Sequence, residues 1–248
     1  MEIIIKMIKR FIPLQILLIR REYLNRKWEN YFKGKKIATI FEEIYRNRLW
    51  DDEKKLEFSS GRGSHEEYVV DKYVENIKKY FGKGPRLNAV DLGCGDFYVG
   101  KKIRPLFNNY IACDIVGKII EYNKIKFKDD NVDFRRLDLS EDEIPQGEVL
   151  LVRQVLQHLD NHTILKFVEN LKRTSFKYLV LTEHIPKGEF IPNVDKTTGF
   201  GIRLGHKEEK SGVVLTKSPF NFRPKNEEIL CEALQMDGLV RTILYYLE

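Results

Sequence analysis

Val90-Asp91-Leu92-Gly93-Cys94-Gly95-Asp96 is the stretch whose reading settles the fold. A short aliphatic run ends in two glycines one residue apart, which lets a strand stop sharply and lets the backbone approach a ligand with no Cβ in the way. The dinucleotide fingerprint wants a further glycine at position 98, where this chain has Tyr98, so pyrophosphate binding through that motif is disfavoured. Asp114 ends the next β-branched run, 23 residues after Asp91, where a carboxylate can accept hydrogen bonds from both hydroxyls of a ribose. Asp138-Leu139 follows the third run, where a short acid and an apolar side chain suit an adenine amino group and ring face.

Outward from this stretch, β-branched runs alternate with helical ones. Strands are predicted over 88–92, 110–114, 132–136, 148–152 and 178–182, with helices over 99–107, 116–127 and 163–173 between them. Such alternation means a parallel, doubly wound α/β sheet whose strands present their carboxyl ends on one edge, where open sheets bind ligands. Near the end of the chain, 224–234 reads as a helix and 239–247 as a strand closing the sheet. Upstream, amphipathic helices are predicted over 37–49, with Ile40, Phe41, Ile44 and Tyr45 on one face, and over 68–80. The loop Ser59-Ser60-Gly61-Arg62-Gly63-Ser64 precedes the second of these helices.

With these residues in order, the chain resembles the class I S-adenosylmethionine-dependent methyltransferases. Asp91 to Asp96 looks like their first motif, Asp114 like the ribose-binding acid, Asp138-Leu139 like the adenine pair, and Val152 to Leu159 like the segment after the fourth strand. The likeness departs at Asp96, which stands where the first motif has a third glycine. It implies a Rossmann-like, mostly parallel seven-stranded sheet. It also implies S-adenosyl-L-methionine as cofactor and S-adenosyl-L-homocysteine as product. The cofactor residues it implies are Asp91, Gly93, Cys94, Gly95, Asp114, Ile115, Asp138, Leu139 and Arg153, with Arg62 as a bidentate partner for the cofactor carboxylate. A narrower resemblance rests on Phe41 to Tyr45 with Trp50, Ser60 to Ser64, Thr198 to Leu204 and Pro219 to Phe222. These look like a bacterial subgroup often associated with surface-polysaccharide biosynthesis.

Each assignment has a plainer alternative. The glycines could serve a turn alone, Asp91 could cap a helix, Arg62 could be a solvated turn residue, and Cys94 and Cys113 could be small buried hydrophobes. The candidate bases are His158, His184 and His206, of which His158 follows the fourth strand and His184 ends the fifth. Were the acceptor a phosphate or phosphonate oxygen, no base would be needed, and Arg203 and Asn221 would serve as anion clamps. Residues 185–223 are too long and too poor in helical pattern for an ordinary connection. They read as a cover that binds the acceptor, with Tyr45 and Trp50 as further walls. No metal is called for.

The chain of 248 residues, 42% hydrophobic and 32% charged, has the composition of a globular protein with a full core. Residues 1–36 hold ten basic and three acidic side chains, a net of +7 against a formal total of +6, so the remainder sits at −1. Positive charge confined to one end disfavours a nucleic-acid partner. The uncharged run 11–19 contains Pro13 and is too short to span a bilayer. Two readings of this basic segment stay open: contact with an anionic membrane surface, or docking on the domain or on a second copy of the chain. Three cysteines without CxxC spacing point to a reducing compartment, and so to the cytoplasm with membrane association left open. The organisation expected is a helical extension over 1–59 followed by a methyltransferase domain over 60–248. The function expected is O-methylation of a small acceptor such as a sugar, a glycan unit or a phosphorylated intermediate. The alternatives are N-methylation of a small amine or RNA, and a non-catalytic binding module.

Overall fold

The computed structural model describes residues 27–50, 57–205, 210–236 and 238–248, the side chain of Arg62 excepted. The described residues fall into two compact units, 27–35 and 36–248. In the first, residues 27–32 are helical. Trp28 stacks on Phe32 there with centroids 5.4 Å apart and meets Tyr31 edge-on at 5.3 Å. The readings for residues 1–26 lie outside the described residues. Among the described residues no helix is long and apolar enough to cross a membrane.

The second unit is built on a seven-stranded sheet. Its strands are β1 (Ala89–Leu92), β2 (Tyr110–Asp114), β3 (Asp133–Arg136), β4 (Val149–Arg153), β5 (Tyr178–Pro186), β8 (Asn226–Gln235) and β9 (Gly238–Tyr246). Their order is β3-β2-β1-β4-β5-β9-β8, parallel through β5 and antiparallel from β5 to β9 and from β9 to β8. A separate two-stranded ladder, β6 (Ile191–Pro192) with β7 (Ser211–Gly212), lies in the 185–223 segment. β1 and β4 are buried along their whole length apart from Arg153, which explains their unbroken apolar runs: covered strands need no polar alternation. The helices are α1 (Ile37–Arg46), the single turn α2 (Arg62–His65), α3 (Glu67–Phe81), α4 (Tyr98–Ile103), α5 (Gly117–Lys126) and α6 (Asn161–Leu171). α1 buries Ile40, Phe41 and Ile44, and α3 buries Val69, Val70, Tyr73, Val74, Ile77 and Phe81, the i, i+3, i+4 stripes expected of them. α6 begins at Asp160, whose carboxylate accepts from Thr163 N–H at 2.8 Å.

The reading of 224–234 as a helix is corrected: these residues belong to β8. Helix formers such as Glu227, Glu228, Leu230 and Ala233 are overridden by nine registered pairings with β9 and by α3 packing on the strand. Val69 of α3 meets Ala233 and Val240 in one cluster. A register shift between Ile229 and Cys231 breaks the strict alternation that would have announced a strand.

Register positions the site. Leu92 of β1 pairs with Cys113 of β2 and Val152 of β4, so the next residues, Gly93, Asp114 and Arg153, emerge side by side at the crevice where the strand order reverses. Replacing Leu150, fully buried in β4, by alanine should lower unfolding stability by about 2–5 kcal/mol in urea titration. Ile125→Ala, on a side chain 77% exposed, should change it by no more than about 0.5 kcal/mol.

Candidate functional site

The glycine turn leaving β1 is held from three sides. Gly93 and Cys94 donate their N–H groups to the Cys113 carbonyl at 2.8 and 2.9 Å. Gly95 N–H donates to Asp114 Oδ2 at 3.0 Å, and its carbonyl accepts from Asn123 Nδ2 at 2.7 Å. Gly93 and Gly95 have φ of +78° and +54°, which glycine adopts without strain. A Cβ on Gly93 would meet Val155 at 2.3 Å, and one on Gly95 would meet Ser60 Oγ at 2.1 Å.

Asp114 is buried, and its other oxygen accepts Val116 N–H at 2.9 Å. Burial pushes its pKa up to about 6 against these backbone donors. Accepting from Gly95 and Val116 leaves lone pairs on a carboxylate that offers about four. Asp91 lies beneath the turn and accepts from Tyr110 Oη at 2.9 Å, and burial lifts it to about 7. Asp91, Arg153, Ser64, Tyr73, Gly93, Cys94 and Asp96 are among the residues lining one cleft. Arg153 donates to Gly63 O at 2.6 Å and Ser64 Oγ at 3.4 Å and stacks over the Tyr73 ring, yet its Nε is buried without a partner. No carboxylate among the described residues pairs with it. Burial also keeps the Cys94 thiol well above its ordinary value, so it stays protonated.

Asp96 explains the departure from the glycine motif. Its Oδ2 accepts Ser60 N–H at 2.9 Å and lies 2.6 Å from His65 Nε2; its Oδ1 accepts Tyr98 N–H at 3.2 Å, and its own N–H donates to Ser60 Oγ at 2.9 Å. Tyr45 Oη lies 3.2 Å from the same Ser60 Oγ, and Trp50 meets the Tyr45 ring edge-on at 5.3 Å. Burial, then Asp114 and Asp96, raise the Tyr45 phenol well above its ordinary pKa. The backbone of Arg62 forms the first residue of α2, and its side chain lies outside the described residues.

Other expected residues are engaged locally. Asp138 Oδ1 accepts from the N–H and Oγ of Ser140 at 2.9 and 2.7 Å, and the Leu139 carbonyl accepts from Asn170 at 3.1 Å. The Ile115 carbonyl accepts from Arg136 at 3.3 Å. His158 is buried against Trp50, ring centroids 5.0 Å apart, and Trp50 Nε1 donates to Phe200 O at 3.2 Å. His158 Nδ1 lies 3.3 Å from Gly201 O and Nε2 lies 3.3 Å from Gln157 Nε2. Gln157 Oε1 accepts His184 N–H at 2.8 Å, which fixes the amide so that it donates to His158; the imidazole proton therefore sits on Nδ1. Burial, then Lys196, holds His158 down at about 3.

One expectation is corrected, and two further residues are engaged locally. His184 does not end its strand, because β5 runs on to Pro186, and its Nε2 faces the Gln235 carbonyl at 3.0 Å. Arg203 is buried and donates to the carbonyls of Val194 and Leu159, which ties the 185–223 segment together, while its Nε is buried without a partner. Asn221 is an exposed turn residue at φ +46° whose amide donates to Pro219 O at 3.2 Å; asparagine tolerates that left-handed geometry. His206 lies outside the described residues.

Sequence reasoning missed the buried polar groups behind the site. Glu183 accepts Leu156 and Gln157 N–H at 3.0 and 2.7 Å. Asn193 accepts Val214 N–H at 2.8 Å and donates to Val214 O and Ser218 O at 2.9 Å. Nothing local marks Asn193 or Asn123, since an isolated asparagine reads as surface.

No protein-family model matches the chain. A curated relative, malonyl-[acyl-carrier protein] O-methyltransferase of Acetivibrio thermocellus, is 33% identical over 92 residues, 35% of this chain and 32% of that protein. The match thus spans about a third of the relative's length. Among solved structures, the N-methyltransferase NodS from Bradyrhizobium japonicum WM9, in complex with S-adenosyl-L-homocysteine, superposes with TM-score 0.58. It is 12% identical, over 84% of this chain and 100% of that one. Magnesium protoporphyrin IX methyltransferase from Synechocystis PCC 6803, with bound SAM, gives TM-score 0.56 at 15% identity, over 86% and 99%. The chain has the fold of these class I methyltransferases.

Burial pushes Glu183 up to about 8, above the ordinary carboxylate value of an unfolded chain. Between pH 7 and 8 the native state therefore holds a proton there that the unfolded state has lost, so stability falls as pH rises. Asp91, lifted to about 7, adds a smaller slope of the same sign, and His158, lowered in the folded state, a small opposing one near pH 7. Urea titrations should show a decline of about 1 kcal/mol per pH unit across this window, reduced in Glu183→Gln.

Proposed function

We propose that the chain is an S-adenosyl-L-methionine-dependent methyltransferase that O-methylates a small acceptor. The observation that carries the reading is the glycine turn with Asp114 at its edge and, in the adjoining cleft, Asp91 and a guanidinium whose Nε is buried without a partner. A carboxylate and a cation lining one cleft match the ammonium and carboxylate of an amino acid, and Asp114 retains acceptor capacity for ribose hydroxyls. The cofactor, when bound, supplies an activated methyl group on a sulfonium. Asp114 would hold the ribose, Arg153 and Ser64 the carboxylate, Asp91 the ammonium and the turn itself, and the loops after β2 and β3, with Ile115, Asp138 and Leu139, the adenine.

The chain's own task is then alignment of an acceptor oxygen at the crevice and exclusion of water. Tyr45, Trp50 and His158 supply one wall, and the 185–223 segment closes against it through Phe200 and Gly201. His158 would serve as a fixed wall and not as a base, because both ring nitrogens are already engaged, with Gly201 O and Gln157 Nε2, and an imidazole held at about 3 takes up a proton poorly at pH 7. That favours an acceptor oxygen already ionised, such as the phosphate of a sugar phosphate or other phosphorylated intermediate, over an un-ionised sugar or glycan hydroxyl. The association with surface-polysaccharide biosynthesis is carried by the narrower sequence likeness alone. The cytoplasm is the compartment this reading fits.

Calorimetric titration with S-adenosyl-L-homocysteine should show one site in the wild type and at least tenfold weaker binding in Asp114→Ala, the loss expected when hydrogen bonds to a charged acceptor are removed. Absence of wild-type binding would overturn the assignment. Labelled-methyl transfer to a panel of sugar phosphates, nucleotide sugars and alkylamines should mark the phosphorylated compounds. Labelling confined to amines would sink the oxygen-acceptor reading.

A further inference from the structure

Residues 58–65 lie directly on the glycine turn. Ser60 Oγ occupies the space above Gly95, 2.1 Å from where a Cβ would stand. It is bonded there to Asp96 N–H at 2.9 Å, while Ser60 N–H returns to Asp96 Oδ2 at 2.9 Å. His65 closes on the same oxygen at 2.6 Å, its ring 4.7 Å from that of Tyr98. The Phe58 ring rests against Tyr122 of α5 at 5.2 Å. Gly63 sits so close to Gln154 that a Cβ would meet the amide at 2.3 Å. Asp96 is 5% exposed, so these bonds form largely out of water, where bonds to a carboxylate are strong. Ser60 thus covers the Gly95 face of the turn.

We propose that Asp96 is a positioning residue for cofactor exchange: through Ser60 and His65 it latches residues 58–65 onto the turn, and the latch must open before a nucleoside ligand enters. This rests on the cofactor reading above. It gives a reason for a carboxylate at the position where that motif has glycine: glycine offers no side chain to hold the segment down. Asp96 touches no reacting atom in this scheme. Its effect is on the rate of entry, carried by the segment it holds.

Two measurements on the full chain test it. In ligand-free protein, hydrogen–deuterium exchange over 58–65 should rise in Asp96→Asn and, less, in Ser60→Ala. In stopped-flow fluorescence, where Trp50 reports on Tyr45 and Ser60, association of S-adenosyl-L-homocysteine should be on the order of tenfold faster in Asp96→Asn. The double variant should exceed either single one, because the two substitutions remove different bonds of the latch: Ser60 Oγ from Asp96 N–H, and the Asp96 carboxylate from Ser60 N–H and His65. Exchange and association both at wild-type values in the two single variants would overturn the latch. Raised exchange in a protein whose wild type takes up no S-adenosyl-L-homocysteine would support the latch and reject the cofactor. Should Asp96→Asn fail to fold, Ser60→Ala carries the same expectation at smaller size.

Discussion

The site depends on one backbone constraint, the reversal of the chain at Gly93 to Gly95. Two glycines with positive φ let β1 stop at Leu92, and four hydrogen bonds then fix the loop to β2 and α5. Asp114 is central because it serves two ends at once. One oxygen holds Gly95 and the other starts α5 at Val116. The acid that would meet a ribose is therefore preorganised by the scaffold it organises. The aromatic cluster below, with Phe97 at centroid distances of 5.0 to 5.8 Å from Phe134, Phe127 and Tyr110, gives the turn a packed floor.

How much of this was legible in the sequence follows from the range of the forces involved. Parallel strands buried on both faces write themselves as short aliphatic runs, so β1, β2 and β4 are found within a residue of their ends. β8 could not be found that way. Its residues favour a helix locally, and only pairing with β9, which follows it in the chain, and packing of α3 make it a strand. The glycine turn and its acids were readable because they form a motif. Ser60, His65 and Asp96 meet across more than thirty positions, and no periodicity records such a contact. The carbonyls that Arg203 and Asn221 serve were hidden for a related reason: they lie elsewhere in the segment, and a lone cation or amide in a loop does not announce them.

The buried polar layer behind β4 and β5 has its own logic. Glu183 accepts two backbone amides from the turn after β4, Gln157 bridges that turn to β5, and the imidazole of His158 is fixed in one tautomer as a result. Each group satisfies another, which is the condition under which polar groups survive burial. The 185–223 segment docks on the same layer through Lys196 and Gly199 at the His158 carbonyl and through Thr198 at Asp160. A long connection with little regular structure beyond the β6–β7 ladder thus gains a defined shape from side chains that would ordinarily sit in water.

β8, last in the sheet order, bears on how this molecule behaves in company. An outermost strand offers free amide and carbonyl groups to any neighbour of matching shape, the usual seed of irreversible clumping. Here the opening half of the strand carries Glu227 and Glu228 toward solvent beside Ile229, which is 55% exposed. A second molecule approaching rim to rim would bring its own glutamates against them. Like charge is thereby placed on the rim where an outermost strand is most open to pairing.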